Sequence, residues 1–355
     1  MRRADLEELW SRAEPLPADA LPGWLGKQDA WWYRRLPVGT VGAEVQQRLE
    51  ERGAVCEPTW IYLPDPTEAI FSIGICRGPA PLELDPADAR PVLTRDDVTD
   101  VSASYVADPF LARSSNGWHM LFEVWNWEAN KGEIGLASSA DGDNWSYDGI
   151  VLAEQFHLSY PHVFCWEEDW YLVPESSQAN EVRLYRAADF PRRWTQAGTL
   201  LEGEYVDPSL FRFEERWWLF AGRGHDELRL FGADSLSGPW VEHPESPVVA
   251  GDLSRARPAG RVLVEKARLV RFGQDCSPVY GSAVHAFEIV ELTPERYRER
   301  PLSQRPLMTG SGRGWNAGGM HHVDLQNDPR GGWIAAVDGW DLRPGGATMV
   351  APAPP

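Results

Sequence analysis

The sequence predicts an all-β protein, a five-bladed β-propeller with a short α-helical addition at its N-terminus. Four segments open with a residue followed by proline, and the first three carry a tryptophan ten residues later. Self-similarity at about fifty residues is typical of repeated β-units such as propeller blades. The openers are Asp108, Tyr160, Asp207 and Arg257, spaced 52, 47 and 50 residues apart, and the tryptophans are Trp118, Trp170 and Trp217.

The N-terminal part has a different pattern from the rest of the chain. Residues 4–13 and 42–52 carry apolar residues at helix-compatible spacing, whereas strands and turns begin at about Trp60. We therefore predict a helical extension over residues 1–55, a propeller over 56–345 and a disordered tail over 346–355.

The first three repeats each contain four strand-like segments. In the first repeat these are 110–113, 118–124, 133–138 and 145–147, with turns at Asn116-Gly117 and Asp141-Gly142. The fourth repeat, about 257–308, keeps strands at 268–272 and 283–289 but has lost the tryptophans.

The fifth repeat is incomplete. It provides strands at 321–326 and 333–337, and the missing two are available upstream at 70–76 and 91–93. Strands from both ends of the chain would then close the ring and remove exposed sheet edges. Proline is expected to hold each opener in an extended conformation at the mouth of its strand.

Composition restricts the partners and the compartment. The net charge of −19 argues against nucleic acid or an anionic membrane surface as a partner. No apolar run approaches the ~20 residues of a membrane span, and no apolar stretch follows Met1 as in a secretory signal. The four cysteines form no CxxC pair, so reduced thiols in a cytoplasmic protein are expected.

One end of the propeller is expected to collect a site rich in carboxylates, because the second strand of each blade returns to the face where the first began. Carboxylates that converge in a partly desolvated cleft acquire the separated pKa values that acid–base chemistry needs. The predicted catalytic residues are Asp108, Glu175 and Asp207. The predicted substrate-binding residues are Glu123, Trp125, His157, Tyr160, Arg223, Arg257, Asp275, Trp315, Asn316, His321, His322 and Asp338.

Structural roles are the alternative for many of these residues. Asp-Pro at a strand start is also an ordinary turn element, and Glu123 or Asp338 could serve as hydrogen-bond partners between blades. His321 and His322 would alternate faces on a strand, so one of them is expected to be a core histidine. Trp125, Trp127 and Trp315 lie outside the repeated register and are candidates for stacking on a ligand ring.

Eight motifs resemble the N-terminal domain of glucosamine inositolphosphorylceramide transferases and its bacterial relatives, over about residues 56–340. In the plant enzymes of this family, sugar transfer belongs to a separate C-terminal domain. The motifs begin at Ala107 (ADPF), Phe122 (FEVW), Lys131 (KGEIGLA), Phe156 (FHLSYP), Pro174 (PESSQANEV), Ala256 (ARPAGR), Gln274 (QDCSP) and Gly319 (GMHHVD).

The propeller also resembles the five-bladed arabinanase, xylosidase and invertase fold, whose members use an Asp base, an Asp modulator and a Glu acid. The resemblance implies Asp108 as base and Asp207 as modulator. Arg257 stands where those hydrolases carry the acid, so Glu175 is the substitute, with Asp275 and Glu123 as further candidates. We expect Arg257 to depress the pKa values of Asp108 and Asp207 and to keep both ionised.

The leading hypothesis is a glycoside-hydrolase-like enzyme that acts on a sugar or a sugar-like hydroxylated small molecule. A non-catalytic glycan- or metabolite-binding propeller is the first alternative, and a tailoring enzyme of secondary metabolism that performs transfer, elimination or cyclisation is the second. No cofactor or transition metal is expected. An axial calcium ion, as in related propellers, remains open, since His321, His322 and Asp324 approach the axis.

Overall fold

Antiparallel strands form most of the protein. The computed structural model describes residues 3–17, 21–22, 33–50, 54–64, 70–265, 268–277 and 280–341. The predicted disordered tail, 346–355, lies outside these residues. The two α-helices of the described part, α1 (Arg3–Arg12) and α2 (Ala43–Glu50), are both near the N-terminus. Neither has the length and apolar character of a transmembrane span.

The strands form an N-terminal sheet and five further sheets, numbered here in chain order. The N-terminal sheet contains β1 (Glu14–Pro15), β2 (Tyr33–Pro37), β3 (Val55–Cys56) and β4 (Trp60–Pro64). Sheet 5 combines two early strands, β5 (Phe71–Gly78) and β6 (Arg90–Leu93), with the last two of the chain, β25 (Val323–Asn327) and β26 (Trp333–Trp340).

Sheets 1 to 4 follow one another along the chain. Sheet 1 contains β7 (Ala103–Ser114), β8 (Gly117–Asn126), β9 (Lys131–Ser139) and β10 (Ser146–Leu152). Sheet 2 contains β11 (Ser159–Trp166), β12 (Asp169–Glu175), β13 (Glu181–Asp189) and β14 (Arg193–Glu202). Sheet 3 contains β15 (Val206–Phe213), β16 (Arg216–Arg223), β17 (Glu227–Ala233), β18 (Val241–Glu242) and β19 (Val249–Ala250). Sheet 4 contains β20 (Leu263–Glu265), β21 (Arg268–Asp275), β22 (Ala283–Leu292), β23 (Tyr297–Pro301) and β24 (Met308–Thr309).

The strands predicted from the two ends of the chain do pair with each other. β26 runs antiparallel to β5 from Trp333–Gly78 to Trp340–Phe71, and β5 continues the sheet to β6. The fourth repeat is less regular than predicted, since Arg257 precedes β20 rather than opening a strand. Its neighbour Pro258 makes only an isolated bridge, to Gly273 of β21.

The sequence predicted a purely helical N-terminal addition, but the structure shows helices and strands in this addition. Its two helices pack with a four-stranded sheet, and β4 belongs to that sheet, so the five further sheets begin at Phe71 rather than at residue 56. Its strands are only two to five residues long, too short for alternation to reveal them. The apolar cluster of this unit includes Trp127, which directly follows β8 of sheet 1 and therefore serves packing rather than ligand stacking.

Buried polar side chains connect the strands β7, β11 and β25, which lie at the edges of sheets 1, 2 and 5. The guanidinium of Arg261 donates to Asp324 Oδ1 (2.8 Å), to the carbonyl of Val163 (2.8 Å) and to that of Leu111 (3.3 Å). The second oxygen of Asp324 accepts from the backbone N–H of Leu111 at 2.7 Å. One ion pair thus ties the chain before β20 to strands of sheets 1, 2 and 5.

Arg261→Met should destabilise the protein by about 3–5 kcal/mol, because it leaves the fully buried carboxylate of Asp324 without its cation. The measurement is urea unfolding followed by circular dichroism. Arg186→Met is the matched control. Arg186 pairs with Asp169 at 2.6 Å on the surface, so its replacement should change the free energy of unfolding by less than about 1 kcal/mol. Equal stability of the two variants would contradict this role for Arg261.

Candidate functional site

Three of the four openers adopt a left-handed backbone instead of the predicted extended one. The φ angles are 52° at Asp108, 46° at Tyr160 and 50° at Asp207. The pairing register shifts at each of these points, between 107 and 110, 159 and 162, and 206 and 209. Each opener therefore lies in a β-bulge, which redirects a side chain and is frequent next to active sites. Left-handed backbone is unusual for a tyrosine or an aspartate and stores strain.

A first group of charges surrounds Arg257. Its Nε lies 2.5 Å from Asp207 Oδ2, and its terminal nitrogens lie 3.7 Å from Glu175 Oε2 and 3.0 Å from His225 Nδ1. Gln274 Nε2 also donates to Asp207, at 3.0 Å. We call these five residues the arginine cluster. Its two carboxylates share one guanidinium, so the cluster carries net negative charge when both are ionised.

A second group of charges surrounds Asp108. Its backbone N–H donates to Asp338 Oδ2 at 2.9 Å, and His321 Nδ1 lies 2.7 Å from Asp338 Oδ1. Two imidazoles face Asp108 Oδ1, with His321 Nε2 at 3.9 Å and His322 Nδ1 at 3.8 Å. We call these four residues the histidine cluster. Both histidines thus face Asp108, contrary to the expected alternation, because they precede β25 and are not part of a strand.

Burial dominates the ionisation of Asp108 and Asp207. It raises the pKa of Asp108 to about 8, although His321 acts in the opposite direction. It raises the pKa of Asp207 to about 6, although Arg257 opposes it. The expectation that Arg257 would keep both carboxyl groups ionised is therefore wrong for Asp108. Arg257 bonds to Asp207, and Asp108 carries a proton at neutral pH.

Asp338 and His321 behave as an ion pair. Burial opposes the charge on both groups, but each partner more than offsets that cost for the other. The pKa of Asp338 consequently lies below its usual value, and the pKa of His321 lies above its usual value. Burial lowers the pKa of His322 to about 4, so that imidazole is neutral.

Aromatic rings line the space around the two clusters. Tyr280 lies between them, with its ring 5.1 Å from Arg257 Cζ and 5.3 Å from the ring of His321. Tyr105 and Trp125 stack at 5.7 Å, and Trp125 lies 5.4 Å from His157. These rings are partly exposed. They form an aromatic wall of the kind that the apolar face of a sugar ring contacts.

Glu123 lies beside this wall. Its Oε1 accepts from the hydroxyl of Tyr105 at 3.2 Å and lies 3.8 Å from His157 Nε2. The other ring nitrogen of His157 accepts from the backbone N–H of Gly132 at 2.8 Å. Burial lowers the pKa of His157 to about 4, so its neutral ring presents an Nε2–H toward Glu123.

Four predicted site residues lie outside the two clusters, and a fifth, Tyr160, contacts the histidine cluster: its backbone N–H donates to Asp108 Oδ2 at 3.3 Å and its ring packs on His322. Tyr160 is fully buried, and its hydroxyl bonds to Ser209 and Gly260. Trp315 packs on β5, where a Cβ at Gly74 would lie 2.6 Å from its ring. The structure also places three others outside the two clusters: Asn316 is buried against Ser311 and Met320, Asp275 faces His285, and Arg223 is exposed at the end of β16.

Sequence reasoning missed Gln274, His225, Tyr280, Phe71 and Tyr105. Gln274 is the clearest case, because side chains alternate along β21 and the choice of Asp275 was one residue out of register. Phe71 stacks on His321 at 4.5 Å, but the segment before β7 gave no sign that it reaches the site. Gln274 is the first residue of the QDCSP motif, so the motif could have identified it. Tyr280 and His225 lie in loops, where no hydrophobic periodicity indicates which side chains face the site.

One group of described residues has metal-ligand geometry. Ligand atoms of Asp108, His321 and Asp338 lie within 4.8 Å of one another. The short His321–Asp338 hydrogen bond and the two backbone N–H donors to Asp338 already satisfy this carboxylate without a cation. Asp324, one of the residues named above for a possible axial calcium ion, accepts a hydrogen bond from Arg261.

Comparison with known proteins shows the family. Residues 64–340 match the family described as glucosamine inositolphosphorylceramide transferase 1, N-terminal. The chain belongs to this family. It is 37% identical over 312 residues to the glucosamine inositolphosphorylceramide transferase 1 of Oryza sativa subsp. japonica, and 32% identical over 299 residues to that of Arabidopsis thaliana.

These matches cover 81% and 77% of the chain but only 42% and 39% of the relatives, so the chain spans about two fifths of their length. Among solved structures, the catalytic domain of a GH62 α-L-arabinofuranosidase from Coprinopsis cinerea has a TM-score of 0.50 at 15% identity, covering 66% of this chain and 90% of that one.

An exo-β-1,3-galactanase from Phanerochaete chrysosporium, solved with β-1,3-galactotriose, also has a TM-score of 0.50 at 15% identity. It covers 71% of this chain and 60% of that one. The likeness shows a fold shared with propeller glycoside hydrolases.

Asp108→Asn should make stability less dependent on pH. The folded-state pKa of Asp108 lies above the ~3.9 of an unfolded aspartate, so folding takes up a proton and the wild type loses stability as pH rises from about 4 to about 8. Asparagine cannot titrate, so the variant keeps the stability that the wild type loses. Over this range its free energy of unfolding should rise relative to that of the wild type by about 1.4 kcal/mol per unit of the pKa shift.

Urea unfolding at pH 5, 7 and 9 measures this difference. Asp234→Asn is the control, because its side chain is 91% exposed and lies outside both clusters. If the unfolding free energies of wild type and Asp108→Asn run parallel with pH, Asp108 is ionised in the folded protein throughout.

Proposed function

We propose that the five sheets are the blades of a closed five-bladed propeller. The pairing of β26 with β5 supports a ring joined by both ends of the chain. The contacts of Arg261 with Leu111, Val163 and Asp324 support inner strands that meet around one axis. In this arrangement the bulged openers lie together at one mouth of the channel.

We propose that this mouth acts on a sugar or a sugar-like hydroxylated small molecule by acid–base chemistry between carboxyl groups. The observation that supports this most is the convergence of Asp108, Glu175 and Asp207 with Arg257 beneath an aromatic wall. Tyr280 supports a shared site, because its ring lies 5.1 Å from Arg257 Cζ in one cluster and 5.3 Å from the ring of His321 in the other. The ligand in the galactanase neighbour is an oligosaccharide, which fits a wall of this chemistry.

The protonation pattern supports specific roles. Asp108 carries a proton at neutral pH and is the proton donor, the reverse of the base role that the resemblance implied. Glu175 Oε1 accepts from Ser177 at 2.9 Å, whereas the buried Oε2 has no hydrogen-bond donor among the described residues. We assign Glu175 as the proton acceptor, because this oxygen lies 3.7 Å from the Arg257 guanidinium, which favours a carboxylate. Asp207, clamped by Arg257, orients the substrate.

The same pair of groups supports either hydrolysis or transfer. A base such as Glu175 deprotonates whichever hydroxyl group lies beside it, and this is a water molecule in hydrolysis or an acceptor hydroxyl in transfer. The relatives are named as transferases, but the chain matches only part of them. Glycoside hydrolysis is the simpler activity to assay. Non-catalytic glycan binding is the second candidate, favoured by Arg257 at the position where the hydrolases carry their acid.

Hydrolysis of aryl glycosides tests the proposal. For any glycoside that the wild type turns over, Asp108→Asn and Glu175→Gln should each lower kcat by about 10²–10⁴-fold, the usual contribution of a general acid or base. Asp275→Asn is the matched control, because Asp275 faces His285 outside the clusters and its loss should leave kcat within a few-fold.

Two outcomes contradict the catalytic proposal. One is turnover that survives both Asp108→Asn and Glu175→Gln. The other is calorimetric binding of an intact oligosaccharide such as β-1,3-galactotriose with no turnover of any glycoside, which establishes the binding alternative.

A further inference from the structure

Two adjacent histidines face the same oxygen of Asp108 at the same distance. His321 Nε2 lies 3.9 Å and His322 Nδ1 3.8 Å from Asp108 Oδ1. Each gap is longer than a hydrogen bond, so the effect of each ring on Asp108 depends mainly on whether the ring is charged. All three side chains are buried, where charge is weakly screened.

The surroundings of the two rings differ. His321 stacks on Phe71 at 4.5 Å and presents Nδ1 to the carboxylate of Asp338 at 2.7 Å. Asp338 is fixed in turn by the backbone N–H groups of Asp108 and His321. A carboxylate at this distance favours imidazolium and fixes the ring with Nε2 toward Asp108.

His322 has no such partner. Its ring packs edge-on against Phe110 at 4.7 Å and Tyr160 at 5.3 Å. Neither ring nitrogen has a hydrogen-bond partner among the described residues. An imidazole in this environment stays neutral, because a buried charge without a counterion is costly. The two histidines are therefore a natural pair in which one carries charge and the other does not.

We propose that His321, charged by Asp338, is a positioning residue that stabilises the carboxylate which Asp108 becomes on releasing its proton. The proton leaves Asp108 for the leaving group, and the negative charge that remains on Asp108 faces the imidazolium. The catalytic meaning of this step rests on the proposed function, but the electrostatic coupling of His321 and Asp108 does not.

The remaining charged and titratable groups around His321 are consistent with this asymmetry. Arg257 disfavours its charge, whereas Asp338 and Asp108 favour it, and the pKa of His321 is raised overall. Tyr280 contacts the ring edge-on and stays a phenol, because burial raises its pKa well above the usual value. His322, on the same segment, is neutral at physiological pH.

Carboxyl ¹³C NMR of protein labelled at aspartate tests the coupling without any substrate. The Asp108 signal is identified by its loss in Asp108→Asn, and its titration is compared in wild type, His321→Gln and His322→Gln. Removing the imidazolium should move the Asp108 midpoint upward by about one pH unit or more. His322→Gln, which replaces a neutral ring at the same distance, should leave the midpoint within a few tenths of a unit.

Equal shifts in the two variants, or a downward shift in His321→Gln, would overturn the proposal. Should His321→Gln not fold, ¹⁵N NMR of histidine-labelled wild type decides the matter. One imidazole should remain charged at pH 7.5, and it should lose its proton only after Asp108 has lost its own. Eight neutral imidazoles at that pH would refute the charge on His321.

Turnover separates this proposal from the proposed function. If the wild type hydrolyses a glycoside, His321→Gln should lower kcat at least about tenfold with little change in KM. If no glycoside is hydrolysed, the proposed function fails while the NMR titration still decides the coupling. A normal kcat in His321→Gln beside a shifted Asp108 midpoint would refute its role in turnover.

Discussion

The structure depends on satisfying the backbone groups at the inner edges of the sheets. An inner strand has no neighbour on its central side, and its N–H and C=O groups there are buried, which is costly without hydrogen-bond partners. Side chains supply these partners. Asp324 accepts from the N–H of Leu111, Arg261 donates to two carbonyls, and His162 Nδ1 accepts from the N–H of Leu210 at 3.2 Å. Side chains thus pair backbone groups along these buried edges that no neighbouring strand reaches.

The same constraint explains the ionisation of the candidate site. Asp108 and Asp207 face a region from which water is largely excluded, so each must either find a cation or keep a proton. Arg257 provides the cation for Asp207, at 2.5 Å. His321 is hydrogen-bonded to Asp338 and lies 3.9 Å from Asp108, so burial prevails at Asp108 and raises its pKa. One arginine and one imidazole thus leave the pKa of Asp108 above those of Asp207 and Asp338.

The sequence predicted the repeated strands well because their signal is local: proline-marked openers, tryptophans at fixed offset and two-residue turns. It predicted the N-terminal unit only in part, since strands of two to five residues carry no alternation. In the site, Glu175 and Asp207 do meet at Arg257, whereas Asp108 lies in a second cluster that Tyr280 connects with the first. The positions of Gln274, Asp275 and Trp315 depended on register and on packing between sheets, which one sequence does not encode locally. Bulges at Asp108, Tyr160 and Asp207 shift the pairing register of their strands, and no pattern in the sequence predicted these bulges.

Arg257 changes what such a mouth can do. The resemblance to glycoside hydrolases implies a glutamic acid at this opening, but the guanidinium that stands there can neither donate a proton usefully nor accept one. It can, however, keep Asp207 and Glu175 close together in a low-dielectric setting, where two carboxylates alone would repel each other. In the proposed function the proton therefore comes from the other cluster, where Asp108 is buried without a direct ion pair. The arginine before β20 and the proton on Asp108 are then two parts of one distribution of charge.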